Sequence, residues 1–275
     1  MVSDVDRYAV IGNPIEHSKS PLIHRAFAEQ TGERLEYGRI LAEPGHFDQA
    51  VQEFLQHGGK GLNVTVPFKE DAWRLAHELS DRAQTAGAVN TLILLPDGRL
   101  RGDNTDGIGL VNDLIRNHGC HLAGAEILVV GAGGATRGVL RPLLETNPKR
   151  LVIANRTAAK ATTLAAECAA LGSISGCGLD RLEGQKFDII INGTAAGLAG
   201  TVPDIPDTIL RTGGWSYDMM YGDTPTAFVR WGRSHGAGTA LDGLGMLVEQ
   251  AAESFFLWRG VRPDSRAVID LLRSG

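Results

Sequence analysis

The sequence predicts an α/β protein built as two lobes. Three observations carry that expectation. Short apolar runs rich in β-branched residues alternate with longer amphipathic stretches along nearly the whole chain, the pattern of βαβ units and parallel sheets. A glycine turn joins an apolar strand to a helix near the middle, in EILVVGAGGATRGVL. The chain has 275 residues, enough for two medium domains that each bury a core.

The first series places strands over 8–12, 35–41, 61–66 and 91–95, with helices over roughly 21–30, 46–57 and 69–79. At Ser20-Pro21 a hydroxyl residue precedes a proline, which suits Ser20 as a helix N-cap and Pro21 as the first helical position. LPDGRL carries the DG signal of a hairpin turn. RGDNTDGIGL then leads into a helical run over 107–118, where the first lobe ends. A second series opens with a strand over 125–130, continues with strands near 151–154, 187–192 and 215–218, and ends near Ala240. The last stretch, from DGLGMLVEQAAESFFLWRG onward, reads as two helices folding back onto the first lobe. The expected division is therefore 1–106 with 241–275, and 107–240.

Composition removes several function classes. Formal net charge is -5 without a basic stripe, so nucleic acid is not an expected partner. Cys120, Cys168 and Cys177 are odd in number and irregularly spaced, which fits a reducing compartment and places the chain in the cytoplasm. MVSDVDRYAV has acids where a secretion signal would carry base, and no run approaches the roughly 18 apolar residues of a membrane span. His118, Cys120 and His121 cluster as HGCH, but no second ligand pair stands at zinc-site spacing, so no metal is expected. No G-x-S-x-G elbow supports hydrolysis. The sequence leaves a homodimer open.

The glycine turn has the context of a dinucleotide site, strand then turn then helix. Gly131 allows the tight turn, Gly133 lets backbone approach a pyrophosphate, and the helix start offers free N–H groups to the negative charge. Thr136 stands where a third small residue is expected. The second lobe is thus read as Rossmann-like and doubly wound. In RLVIANRTAAK the strand ends on Asn155 and Arg156, with Lys160 one helical turn beyond. An acid there would hold the ribose 2′-hydroxyl of NAD and repel a 2′-phosphate. A guanidinium grips that phosphate through a charge-assisted fork, so the expected cofactor is NADP.

Three segments of the first lobe are candidates for chemistry. Ser18 and Ser20 in IGNPIEHSKSP put two hydroxyls at a helix start, a place suited to a carboxylate. Lys69 in NVTVPFKE follows an apolar strand end and a proline, a placement suited to proton transfer. Asp103 and Asp106 in GDNTDG lie near the lobe boundary, and either could orient Lys69 or bond a substrate hydroxyl. Each also has a plainer reading: Ser20 and Asp106 as caps, Lys69 as a solvated helix start.

Taken in order, GNPIEHSKSPLIH, GLNVTVPFKE, AGAVNTL, GDNTDG, GAGGAT, NRT and DGLGMLVEQ resemble the shikimate dehydrogenase family along nearly the full length. The resemblance implies a substrate lobe, an NADP lobe, and an active site in the cleft between them. It implies that Ser18 and Ser20, helped by Tyr221, bind the substrate carboxylate, while Thr65, Asn90, Asp106 and Gln250 read the ring hydroxyls and carbonyl. Lys69 and Asp106 correspond to the catalytic pair. For the cofactor it implies Gly131, Ala132, Gly133, Gly134 and Ala135 at the pyrophosphate. Asn155, Arg156, Thr157 and Lys160 would meet the 2′-phosphate, Met219 and Gly243 the nicotinamide, and Asp81 is a further acidic position associated with the cofactor. The implied activity is NADPH-dependent reduction of 3-dehydroshikimate. Ala195 and Ala196 depart from the pattern, in the loop after FDIIIN. A quinate-accepting dehydrogenase of the same fold, a silent NADP- or shikimate-binding regulator, and a methylene-tetrahydrofolate-type dehydrogenase are the alternatives; the last leaves NPIEHSKSP unexplained.

Overall fold

A computed structural model of the chain describes residues 5–194 and 200–274. It forms two compact units, one running to Gly109 and resuming at Val248, the other Leu110–Leu247. Among the described residues no helix is long and apolar enough to cross a membrane.

In the first unit β1 (Asp6–Gly12), α1 (Ser20–Thr31), β2 (Leu35–Leu41), α2 (Phe47–Gln56) and β3 (Gly59–Val64) form two successive crossover units. They are followed by α3 (Lys69–Leu75), β4 (Glu78–Leu79), α4 (Asp81–Ala86), and the hairpin of β5 (Thr91–Leu94) and β6 (Leu100–Asp103). The sheet order is β2-β1-β3-β5-β6-β4. β1 pairs in parallel with both β2 and β3, whereas β5 runs antiparallel to β3 and β6. This order makes β1 and β3 a switch point, where the chain leaves one strand in each direction, and ligands bind beyond the carboxyl ends of such strands. The antiparallel hairpin matters equally: its pairing sets Thr91 opposite Asn63 and Asp103 opposite Thr91. The start of β5 and the end of β6 therefore stand at that same edge.

The second unit holds β7 (Glu126–Val130), α6 (Gly134–Glu145), β8 (Arg150–Asn155), α7 (Ala158–Glu167), β9 (Ile174–Gly178), β10 (Phe187–Asn192), β11 (Leu210–Asp218), α8 (Ala227–Ser234) and β12 (Thr239–Leu241). Its sheet is parallel throughout, in the order β12-β11-β10-β7-β8-β9. Counted within the unit this is 6-5-4-1-2-3, the doubly wound order, with its switch point between β7 and β10. The strands are almost continuously apolar, and Ile127 to Val130, Leu151 to Ala154 and Ile189 to Ile191 are buried, as a sheet covered on both faces requires. The Gly-rich β9 carries no periodic signal in the sequence. Its place follows from pairing with β8 and from Gly176, where a Cβ would come 2.2 Å from the Ala161 carbonyl oxygen.

Helix α5 (Asp106–Asn112) runs on as a π-turn over Asp113–Asn117, and α9 (Leu244–Arg259) is followed by α10 (Ser265–Ser274). The carboxy-terminal helices return to the first unit, as expected. Trp258 stacks on Tyr8 with ring centroids 4.6 Å apart, and Arg259 pairs with both Asp6 and Glu33.

Two local expectations need correction. Ser20 is not an N-cap: α1 begins at Ser20 itself, Lys19 holds the cap position, and Ser20 N donates to Ser18 Oγ at 3.3 Å. The helix expected over 69–79 stops at Leu75, because His77 N instead donates to Leu100 O and draws β4 alongside β6. Ser80 then caps α4 through Ala83 N.

Candidate active site

At the switch point of the first sheet the chain leaves β1 through Asn13 to Lys19, and leaves β3 through Thr65 to Phe68. The two exits touch. A Cβ on Gly12 would lie 2.4 Å from Thr65 Cγ2, and Thr65 N donates to Ile11 O. Both described cis peptide bonds, Asn13–Pro14 and Val66–Pro67, fall in these exits. On the first exit the Ser18 hydroxyl donates to the Ser20 hydroxyl at 3.2 Å, so the two serines form one polar group at the start of α1.

Lys69 is the first residue of α3, and its carbonyl accepts Val89 N at 2.8 Å, which ties it to the entry of β5. Its Nζ donates to Asp106 Oδ2 at 2.5 Å. The other oxygen, Asp106 Oδ1, accepts Asn90 Nδ2 at 2.8 Å. Asn90 Oδ1 accepts Thr105 N at 2.8 Å and Thr91 Oγ1 at 2.9 Å, which fixes the orientation of its amide. Gln250, from α9, places Oε1 3.3 Å from Asn90 Nδ2 and from Thr105 Oγ1. Lys69, Asn90, Asp106 and Gln250 are thus brought together. The lysine side chain is 30% exposed and the aspartate 15%, open enough for a ligand yet screened less than a surface pair.

The sequence left Asp103 and Asp106 as equal candidates for the partner of Lys69. The structure separates them. Asp103 is 1% exposed, gripped by Arg82 through Nε at 3.1 Å and Nη2 at 2.9 Å, and bonded by Ser80 Oγ at 2.6 Å. It anchors the loop, and Asp106 points its carboxylate at the ammonium. Sequence reasoning missed the layer beneath: Thr91, Thr105, Asn63 and the hydroxyl of Ser254 form a buried hydrogen-bonded floor under Asn90. Ser254 sits inside an apolar helical run, and nothing in its spacing marks it. Next to this floor, burial drives His24 down to about 3, so its ring is neutral, stacked on Tyr37 and bonded to Asn63 Oδ1.

In the second unit Gly131 follows β7 with φ of 109°, a conformation that favours glycine. A Cβ there would come 3.1 Å from the Gly193 backbone that follows β10, so the close approach of the two strand ends also requires it. Gly133, Gly134 and Ala135 are exposed at the start of α6, which has no side-chain cap. Ala132 is half-buried, and Thr136 is buried with no hydrogen-bond partner for its hydroxyl among the described residues. Free N–H groups at the start of a 12-residue helix suit an anion. At the end of β8, Asn155 Nδ2 donates to Thr157 O, and Arg156, Thr157 and Lys160 are exposed around the uncapped start of α7. No ion pair among the described residues engages Arg156 or Lys160. These residues fit a dinucleotide with a phosphorylated ribose. Met219 and Gly243 come together: Gly243 N donates to Met220 O, and a Cβ on Gly243 would lie 2.3 Å from Met219 O. Tyr221 belongs to this unit, and burial raises its hydroxyl pKa. Asp81 lies in the first turn of α4 and is exposed. Ala195 and Ala196 lie outside the described residues.

Family models match in the same order as these elements. The shikimate dehydrogenase substrate binding domain covers residues 10–92, the shikimate / quinate 5-dehydrogenase model 113–199, and the shikimate 5'-dehydrogenase C-terminal domain 243–273. The shikimate dehydrogenase (NADP(+)) of Alkalilimnicola ehrlichii is 61% identical over 98% of both chains. Among solved structures, an Ael1 enzyme from Pseudomonas putida is 48% identical with a TM-score of 0.91, over 97% of this chain and 98% of that one. A shikimate 5-dehydrogenase of Thermus thermophilus, solved with NADP(H) and shikimate, is 31% identical with a TM-score of 0.87, over 98% of this chain and 99% of that one. With both switch points furnished as described and relatives matching end to end, the chain belongs to the shikimate dehydrogenase family.

Proposed function

We propose that this chain catalyses the reversible NADPH-dependent reduction of 3-dehydroshikimate to shikimate, a step of aromatic amino-acid biosynthesis, and that it acts in the cytoplasm. The observation that carries the reading is the Lys69–Asp106 pair at 2.5 Å, fixed by Asn90 and beside Gln250. A carbonyl reduction needs one acid near the oxygen and polar groups that orient a polyhydroxylated ring, and this cluster supplies both.

NADPH, when bound, supplies the hydride. The unit Leu110–Leu247 holds it: Gly131, Ala132, Gly133, Gly134 and Ala135 present backbone to the pyrophosphate. Asn155, Arg156, Thr157 and Lys160 take the 2′-phosphate, Met219 and Gly243 flank the nicotinamide, and Asp81 completes the cofactor set. The unit that runs to Gly109 and resumes at Val248 holds the substrate. Ser18 and Ser20, with Tyr221, bind its carboxylate, and Thr65, Asn90, Asp106 and Gln250 bind the ring. As the carbonyl oxygen gains negative charge, the Lys69 ammonium stabilises it and delivers the proton. Asp106 holds Lys69 in line, and its second oxygen is held in turn by Asn90, so the geometry is set before substrate arrives.

The test is reduction of NADP+ by shikimate, followed at the reduced-nicotinamide absorbance band, repeated with NAD+ and with quinate. Turnover highest with shikimate and NADP+ is expected. Absence of reduction with every pairing would leave only a binding protein, and equal turnover on quinate would make the chain a broader dehydrogenase.

A further inference from the structure

The carboxylate of Asp113 is buried, 1% exposed, in the π-turn that continues α5. Among the described residues, no lysine or arginine ion pair engages it. Tyr217 donates its hydroxyl to Oδ2 at 2.7 Å, Asn117 donates Nδ2 to Oδ1 at 2.9 Å, and His118 Nε2 stands 3.6 Å from Oδ1. A buried acid without a cation is costly unless other dipoles face it. Here the first turn of the 16-residue helix α9 does so. Gly245 lies so close that a Cβ on it would come 2.0 Å from Asp113 Oδ1, and the Met246 backbone N–H faces the Tyr217 oxygen. The result is a chain of donors, Met246 N–H to Tyr217 hydroxyl to Asp113, joining the end of β11 to the start of α9. Met219 directly follows the first of these segments and Gly243 directly precedes the second. π-Turns inside helices recur at functional positions, and this one supplies the residue that ties them.

We propose that Asp113 is a positioning residue for the nicotinamide half of the cofactor. It touches neither substrate nor cofactor. By bonding Tyr217, two residues before Met219, and by seating Gly245, two residues after Gly243, it sets the spacing of the two backbone segments that flank the ring. The inference rests on the cofactor reading above and adds a residue outside its binding set.

The test compares NADP+ with 2′,5′-ADP, which keeps the phosphates of the adenosine end and lacks the nicotinamide. Dissociation constants are measured by calorimetry for the wild-type chain and for Asp113→Asn, Tyr217→Phe and Gly245→Ala. The first two remove the bonds, and the third pushes on the same contact from the helix side, so a failure of one variant to fold leaves the others. Loss of one oriented hydrogen bond predicts NADP+ weakened by about fivefold or more, with 2′,5′-ADP within about twofold of wild type. The KM for shikimate should hold while kcat falls. Parallel weakening of both ligands, the mark of a merely structural role, overturns the proposal, as does unchanged NADP+ affinity in the folded variants. A wild-type chain that binds neither ligand overturns the cofactor reading itself, and this inference with it.

Discussion

Asp106→Asn keeps the size of the side chain and removes its charge, and the surrounding bonds dictate what happens. Asp106 accepts on both oxygens, from Lys69 Nζ at 2.5 Å and from Asn90 Nδ2 at 2.8 Å. An amide has one acceptor, so one of these donors must face an NH2 group. Asn90 cannot turn to compensate, because its oxygen is held by Thr105 N and Thr91 Oγ1. A lost charge-assisted bond is worth about 1.5–3 kcal/mol, or roughly one to two decades of rate if it orients Lys69 only in the transition state. Loss of a substrate hydroxyl contact adds to this, so kcat should fall about 10²- to 10⁴-fold, the range of positioned acid–base catalysis. Initial rates of NADP+ reduction at saturating shikimate provide the measurement, with the melting temperature as control. A variant that folds normally and keeps kcat within about threefold of wild type would refute the assignment of the pair.

Arg156→Gln removes the guanidinium fork at the start of α7 and should raise the KM for NADP+ about 10- to 100-fold while changing the KM for NAD+ far less; an unchanged ratio of the two would exclude Arg156 from the phosphate site. Glu126 is held down to about 2 from an ordinary 4.5, first by its bond to Lys149 and then by Arg150 and Arg211. A depressed carboxyl pKa stabilises the fold above the unfolded pKa, and that contribution is lost as pH falls from about 4.5 toward 2. Because the cations are well exposed, Glu126→Gln should cost only about 1 kcal/mol at neutral pH, with the difference in urea midpoint closing across that acid window. For His24 the cause differs but the sign is the same: burial, not ion pairing, lowers its pKa from 6.5 to about 3. The unfolded chain therefore takes up the proton first, and wild-type stability should decline as pH falls below about 6.5. His24→Gln should flatten that slope, and identical slopes in the two proteins would disprove the neutral buried ring.

Much of this was legible in the order of residues. Strands such as ILVV and DIII read as buried parallel strands because both faces of their sheet are covered. GAGGAT read as a nucleotide turn because only glycine tolerates the φ of 109° found at Gly131. Asn155-Arg156 at the end of β8 pointed to a phosphorylated ribose because an acid is missing there. Other features were out of reach of local pattern. The helix expected over 69–79 has adequate propensity, yet pairing of His77 and Leu79 with β6 takes its second half. Ser254 and Asn63 look like an isolated hydroxyl and a strand-end amide until α9 and β3 are packed together, 191 residues apart in sequence.

The sequence by itself therefore determined the two α/β series, the glycine turn between strand and helix and the chemical types available, since these depend on periodicity, glycine conformations and charge within a few neighbouring residues. Only the tertiary structure decided which groups act together. Asp103 and Asp106 stand three residues apart with similar surroundings in sequence. Arg82 and Ser80 claim the first, and the antiparallel hairpin of β5 and β6 carries the second to Lys69. A carboxylate's role is set by the cations and donors that surround it in space, and those arrive from strands and helices that local sequence cannot pair.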